Sequence, residues 1–233
     1  MSDNTYRIGE EEVEGIFDSD KTVGASAYEE ARNISNDELM PELFEIIINA
    51  ESRDVRHNAY FILGYNAKNL KHLDGTIFLL KCLKSEKDRM NLVTILTSLA
   101  DLFKPATLDT SYIVKLTEHK NPLVRGAAYE ALANNENEVE DFYLQRLGVT
   151  QNKHDIRPLL SSLMYVGTSK SIPYIEKYLK SRDSFVKVIT INILTVIMLR
   201  AEYPFQEIHK KLKVSMEFVQ HHFDRLDILS KPG

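Results

Sequence analysis

A short pattern recurs six times along the chain: an apolar residue, often followed by Arg or Lys, and then apolar or small residues four and seven positions later. Positions zero, four and seven share one face of an α-helix. The intervals of 30 to 35 residues match the period of two-helix repeat proteins, so the chain is predicted to be a stack of about six such repeats. The copies begin at Val23, Val55, Arg89, Val124, Ile156 and Val186.

A second apolar segment at helical spacing precedes most copies, as in Leu43, Phe44 and Ile47. Pro41 lies near the start of one such segment, where a proline costs no intrahelical hydrogen bond. The segments are separated by polar breaks such as residues 51–54, whose Ser and Asp side chains can cap the next helix. Each repeat is therefore predicted to contain two helices.

The composition predicts an all-α chain without a sheet. Only nine Gly and seven Pro occur, and no Gly-rich turns separate the apolar stretches. One domain is expected over residues 1–233, with repeats at about 8–198 and carboxyl-terminal capping helices at about 199–230. An acidic helix is expected around residues 10–17. Two more helices are expected at 201–213 and 215–229.

The turn of Asp or Asn, Val-Arg and then Ala resembles the HEAT repeat family, in particular its bacterial HEAT-like type. The resemblance covers about residues 20–198 and implies a right-handed α-α superhelix, or solenoid, with capping helices. In that family the acid of the turn and the Arg after Val commonly form a ladder between neighbouring repeats. The ladder would map onto Asp54 with Arg56, Asp155 with Arg157, and Arg125.

Three copies depart from the family pattern. The third has Arg89-Met90 in place of Val-Arg, and the first has Val23-Gly24. The fifth places Pro158 inside the opening turn of its helix.

Signals for catalysis or a cofactor are missing from the sequence. The seven histidines show no metal-ligand spacing, and no His-Glu dipeptide occurs, unlike in the HEAT-like deoxyhypusine hydroxylases. No nucleophile elbow or Gly-rich phosphate loop is present. The one cysteine, Cys82, lies in an apolar stretch that favours ordinary packing. A non-enzymatic protein without a cofactor or metal is predicted.

Charge argues against nucleic acid as the partner. The formal net charge is -5, whereas phosphate binding needs a concentrated positive surface. In the HEAT-like alkylpurine DNA glycosylases the site contains tryptophan, whereas this chain has no Trp.

Neither a membrane span nor a signal peptide is predicted. The longest apolar stretch, residues 188–199, is interrupted by Thr190, Asn192 and Thr195 and is too short to cross a bilayer. It is expected to be a deeply buried helix. The first residues lack the basic start and apolar core of a signal peptide, so a cytoplasmic location is predicted.

Tyrosines at position five of three copies suggest a binding surface. They are Tyr28, Tyr60 and Tyr129, and Arg56 and Arg125 each lie four residues before one of them. Side chains four apart on a helix can touch, and Tyr and Arg dominate binding hot spots. The hypothesis is that these five residues contact a protein partner. The alternative is that the tyrosines cover the seam between adjacent repeats.

A protein-binding module that presents a concave helical surface is the predicted function. An immunity protein that neutralises a basic toxin is one form of it, since such a partner would complement the net charge. A HEAT-like bilin lyase is the alternative from another class. DNA binding, of the alkylpurine glycosylase kind, is a third.

Overall fold

A computed structural model of the chain describes residues 23–135 and 139–226. In these two ranges the backbone forms helices, and no β-strand occurs there apart from an isolated parallel bridge between Lys104 and Asn135. The prediction of an all-α chain is therefore confirmed for the described part. The acidic helix expected at residues 10–17 lies outside it, as do residues 227–233.

The α-helices are numbered here in chain order. They are α1 (Val23–Asn33), α2 (Leu39–Asn49), α3 (Arg53–Leu70), α4 (Leu73–Ser85), α5 (Arg89–Asp101), α6 (Ser111–Leu116), α7 (Pro122–Ala133), α8 (Glu140–Val149), α9 (Lys153–Val166), α10 (Ile172–Ile175), α11 (Ser184–Arg200), α12 (Phe205–Leu212) and α13 (Met216–Asp224). The short α10 is flanked by the 3-10 segments Ser169–Ser171 and Glu176–Lys180.

Polar capping residues fix where five of these helices begin. Each of α3, α5, α7, α9 and α11 follows a side chain that accepts a backbone N–H bond from the first turn. Such caps satisfy N–H groups that a helix leaves unbonded. The prediction that Ser, Asp and Asn of the polar breaks cap these helices is confirmed. The caps are Ser52, Asp88, Asn121, Asn152 and Asp183.

The caps also correct the register of two copies of the pattern. Val124 lies three residues after its cap, and the equivalent positions in the third and fifth copies are Asn91 and Asp155. The predicted starts at Arg89 and Ile156 were wrong by two residues and one residue. Apolar spacing identifies a helix face, but the capping side chain decides where the helix starts.

The helices form two rows. The second helices α3, α5, α7, α9 and α11 pack on one another in chain order, and α1 packs on α3. The first helices α2, α4, α6 and α8 and the segment 172–180 each pack on the second helix that follows. A continuous cluster of buried apolar side chains runs through both rows, from Met40 to Val219.

Small residues set the spacing of the second helices. A Cβ atom built on Gly64 of α3 would lie 2.1 Å from the Ser98 Oγ of α5, so the two backbones approach closely here. In α7 the residues facing the neighbours are largely alanines, among them the buried Ala128, Ala131 and Ala133. Short side chains on α7 leave room beside it, and a depression lies along this helix.

Polar side chains near the carboxyl ends of α3, α7 and α11 donate hydrogen bonds to backbone carbonyl oxygens at the end of the neighbouring α1, α5 and α9. Asn69 of α3 donates to the carbonyl oxygens of Arg32 and Ile34 at 2.9 and 2.7 Å. Asn134, just after α7, donates to the Asp101 carbonyl at 3.3 Å. Arg200 of α11 donates to the Tyr165 carbonyl at 2.7 Å. These bonds satisfy carbonyl groups that a helix end leaves without an intrahelical donor.

The carboxyl-terminal region contains the expected buried helix and two shorter helices. Ile193 to Leu199 of α11 are all buried, and the Thr195 hydroxyl donates to a carbonyl one turn back, that of Ile191, at 2.9 Å. None of the described helices is long and apolar enough to span a membrane. The helix expected from residue 201 begins only at Phe205, because Glu202 has a positive φ of 58° and Pro204 caps the helix.

Candidate binding groove

Arginine side chains at the start of the second helices tie neighbouring repeats together. Arg125 of α7 donates from Nε to Asp155 Oδ1 in α9 at 2.8 Å. Its Nη1 also donates to two carbonyl oxygens of the turn before α7, at 2.9 and 3.2 Å. Arg157 of α9 donates to Asp183, the cap of α11, at 2.6 Å. Each arginine therefore joins its own helix to the start of the next second helix.

Arg56 holds the equivalent place in α3 and donates to Glu86 Oε2 at 3.4 Å. The Glu86 side chain is 5% exposed and also accepts from the Tyr60 hydroxyl at 3.4 Å and the Asn91 amide at 3.3 Å. Burial alone would raise the pKa of Glu86. The backbone N–H groups of the next two residues bond this carboxylate and, with Asn91 and Arg56, hold its pKa below the ordinary value.

The ladder implied by the family resemblance is present, but its pairs differ. Arg56 does not pair with Asp54, which is exposed and contacts Arg53 at 3.0 Å. Asp155 pairs with the arginine of the preceding repeat and not with Arg157. The mapping was wrong because residues two apart on a helix point in different directions, whereas an acid in the next repeat can face the arginine.

Tyr60 and Tyr129 lie in the seam between repeats. They are 3% and 4% exposed, and their hydroxyls donate to Glu86 at 3.4 Å and to the Thr117 carbonyl at 3.5 Å. Burial raises the pKa of both phenols. The premise that these two tyrosines lie outside the packed seam is wrong, because the next first helices, α4 and α8, pack against them.

Tyr28 differs from the other two tyrosines, since it is 43% exposed. Its ring meets the Phe61 ring edge to face, with the centroids 5.0 Å apart. It therefore remains available at a surface. The guanidinium groups of Arg56 and Arg125 are taken up by the ladder just described.

Four second helices each carry two side chains, four residues apart, on the same face. These side chains stand nine and thirteen residues after the caps of α3, α5, α7 and α9, and the first of each two directly follows the position of the buried tyrosines. This surface is named the central groove. Its residues are Phe61 and Tyr65, Thr97 and Asp101, Glu130 and Asn134, and Ser161 and Tyr165.

Three adjoining cavities make the central groove concave. A cavity of ≈ 150 Å³ lies between α3 and α5, and one of ≈ 420 Å³ crosses α5, α7 and α9. A third of ≈ 430 Å³ lies between the end of α3 and the loop after α5. The first two share Thr97, and all three share Asp101. The three cavities therefore adjoin one another at Asp101.

Aromatic rings stand at both ends of the central groove. Phe61 and Tyr65 contact each other at the α3 end, with the centroids 4.9 Å apart, and Tyr165 stands at the α9 end. On α11 the equivalent position is Val196, which is completely buried. The groove therefore spans four second helices and ends before α11.

The middle of the groove is acidic. Asp101 accepts from Lys68 Nζ at 2.7 Å in an exposed ion pair. Glu130 reaches solvent through the mouth of its cavity and forms no ion pair with any described residue. The surrounding walls partly desolvate it, and this burial raises the pKa of its carboxyl.

A buried lysine lies beneath the third cavity. Lys104 is 0% exposed, and its Nζ donates to the carbonyl oxygens of Leu99 and Leu102 at 2.5 and 2.6 Å. Burial lowers the pKa of Lys104 to about 7, and the nearby Asp101 carboxylate partly opposes this shift. The Lys104 amino group thus bonds carbonyl oxygens at the carboxyl end of α5 from the interior of the protein.

Cys82 lies outside the central groove and is buried, and burial raises the pKa of its thiol to about 11, which keeps the thiol protonated and weakly nucleophilic. In the described ranges no cluster of three His, Cys, Asp or Glu side chains is arranged to hold a metal ion. The side chains of the groove itself are rings, hydroxyls, an amide and carboxylates.

Most groove residues escaped the sequence prediction. Only Tyr28, which touches Phe61, was singled out near this surface. The groove residues stand nine and thirteen residues after each capping residue. This spacing is visible in the sequence only when the helices are aligned by their capping residues and not by their apolar residues. A comparison with protein-family models and with curated proteins finds no match to the chain.

Proposed function

We propose that the chain is a protein-binding module of the HEAT type, an α-α solenoid that receives an extended segment of a partner protein in its central groove. The observation that carries the proposal is the row of paired side chains on α3, α5, α7 and α9, with aromatic rings at both ends. Tyrosines anchor interfaces well because they bring a large contact area at low entropic cost.

Groove length and shape support an extended ligand. The row crosses four successive second helices, and the adjoining cavities can receive side chains at intervals along a bound segment. Most concave binding sites combine apolar walls with a few polar groups that fix orientation. Here Thr97, Asp101 and Glu130, which are all exposed, supply the polar groups.

The charge of the central cavity favours protein over DNA as the ligand at this point of the groove. The central cavity is lined by two carboxylates and by no basic side chain. A phosphate backbone would be repelled there, whereas a basic protein would be attracted. A basic toxin recognised by an immunity protein is one partner of this kind.

The test blocks the groove and leaves the ladder intact. Thr97 lies on the walls of the first two cavities, so Thr97→Arg fills both with a longer side chain. Gln145→Arg adds the same group to an exposed position of α8, in the row of first helices. The tagged chain captures partners from the cells that naturally produce it, and calorimetry then measures the Kd of the purified partner.

We expect Thr97→Arg to raise the Kd at least about tenfold, which corresponds to about 1.4 kcal/mol, and Gln145→Arg to leave it unchanged. A partner that binds both variants as tightly as the original chain would place its site elsewhere. Failure to capture any stoichiometric protein would count against a binding module.

A further inference from the structure

The central cavity of the groove holds a carboxylate without a partner. The cavity of ≈ 420 Å³ is lined by Glu130, Asn134, Ser161 and Tyr165 and by the small residues of α7. Its other carboxylate, Asp101, is already paired with a lysine at 2.7 Å. Glu130 is exposed at the mouth of the cavity and forms no ion pair with any described residue, so its carboxylate is free to accept hydrogen bonds from a ligand.

The hydroxyl deeper in the same wall is already engaged within the chain. Ser162 is 1% exposed, and it lies in hydrogen-bonding contact with the Tyr143 phenol, which itself donates to the Tyr129 carbonyl at 2.7 Å. The polar groups left for a ligand are therefore those nearer the mouth of the cavity, among them Glu130 and Ser161.

The lining suits a planar cation. A guanidinium group can donate two parallel hydrogen bonds to one carboxylate while its face stacks on an aromatic ring. Glu130 and Tyr165 supply these two elements on adjacent second helices, α7 and α9, and the hydroxyls of Thr97 and Ser161 can accept the remaining N–H groups. An ammonium group is more strongly hydrated and lacks the planar fork.

We infer that this cavity receives an arginine side chain of the partner protein, with its guanidinium group on Glu130 and against Tyr165. The inference rests on the proposed function, because it names the chemistry that the groove recognises in the bound segment. Among the described residues Glu130 has no ion-pair partner in the free chain, because the arginine of the bound protein supplies the opposite charge.

The first test uses small probes and does not need the natural partner. N-acetyl-L-arginine methylamide is titrated into the chain, and the methyl NMR signals of Thr97, Ala133 and Met164, which line the cavity, are followed. The citrulline analogue keeps the shape and removes the charge, and the lysine analogue keeps the charge and removes the fork. Glu130→Gln is the test variant, and Glu45→Gln, at an exposed position of α2, is the matched control.

We expect saturable shifts with a Kd in the millimolar range for the arginine probe, and much weaker binding of the citrulline and lysine probes. Glu130→Gln should weaken the arginine probe at least about fivefold, and Glu45→Gln should not change it. Binding that is equal for arginine and lysine, or that survives Glu130→Gln, would overturn the inference. The folding of each variant is verified by its circular dichroism.

A second test separates this inference from the proposed function. The captured partner is titrated against Glu130→Gln and against Thr97→Arg. If Thr97→Arg weakens the partner and Glu130→Gln does not, the groove binds protein and the arginine assignment is wrong. If the arginine probe binds but no protein is captured, the cavity assignment stands and the binding-module proposal fails.

Discussion

Two ion pairs, one between second helices and one in the row of first helices, differ in burial. Arg125 and Asp155, between second helices, have side chains that are 15% and 13% exposed. Lys170 and Asp141, in the row of first helices, are 54% and 77% exposed. Water screens the charges of Lys170 and Asp141 and competes for their hydrogen bonds. Removal of Arg125 or Asp155, in contrast, leaves the other charge in a poorly hydrated seam.

Two glycines also differ in how closely they are packed. A Cβ atom on Gly64, between two second helices, would clash with Ser98, whereas a Cβ atom on Gly148 of α8 would meet nothing within 4 Å. A first helix can be packed as closely as a second helix, since a Cβ atom on Gly75 of α4 would lie 2.5 Å from the Ala67 Cβ atom. Close approach is therefore a property of individual contacts, and the contact at Gly64 lies on the wall of the central groove.

Arg125→Met is expected to give the largest loss of stability. It removes the ion pair with Asp155 and two hydrogen bonds to turn carbonyls, and it strands a poorly hydrated carboxylate. The free energy of unfolding should fall by about 3 kcal/mol, as measured by urea denaturation. Asp155→Leu added to Arg125→Met should recover part of this loss, since no charge then remains unpaired. A loss of less than about 0.5 kcal/mol, typical of an exposed pair, would show that the seam is well hydrated.

Gly64→Ala is expected to cost about 2 kcal/mol of unfolding free energy, because the added methyl group pushes α3 away from Ser98. Gly148→Ala is its matched control in the row of first helices. It should raise stability by about 0.8 kcal/mol through the better helix propensity of alanine. Equal effects of the two substitutions would show that α3 and α5 are not in close contact at Gly64.

Lys104 should make stability depend on pH. Its pKa is about 7 in the folded chain and near 10.5 when unfolded, so the unfolded state binds more protons between these values. Stability should therefore rise with pH from about 7 to about 10, with a slope of at most about 1.4 kcal/mol per pH unit. Urea denaturation of the original chain and of Lys104→Met at several pH values isolates this contribution. Parallel stability curves would show that Lys104 keeps an ordinary pKa.

Lys170→Met is expected to have the smallest effect. The ion pair with Asp141 is exposed on both sides, and such pairs contribute little. The urea midpoint should stay within experimental error of the original value. A clear loss would mean that the row of first helices also depends on its ion pairs.

The sequence predicted the helical class and the capping residues. These follow from local rules: apolar spacing gives a helix face, and Ser, Asp or Asn at a break gives a helix start. The pairing of the arginines could not be obtained in the same way. It depends on which repeat's acid faces Arg56 or Arg125, and that depends on how the repeats stack.

The candidate site was harder to predict than the fold. Tyr60 and Tyr129 look like an exposed row on a helical projection, yet the following first helices bury them. One position further along, Phe61 and Glu130 face the groove. A shift of one residue turns a side chain by about 100° around a helix. An error of one residue in the register is therefore enough to predict that a buried residue is exposed.

Binding of a partner in the central groove is tested by hydrogen–deuterium exchange of the chain with and without its captured partner. We expect slower exchange at the groove-facing parts of the second helices, in peptides that cover residues 93–101, 126–134 and 159–166. The first helices α2, α4 and α8 should exchange as in the free chain. Protection confined to the first helices, with the second helices unchanged, would show that the partner binds outside the groove.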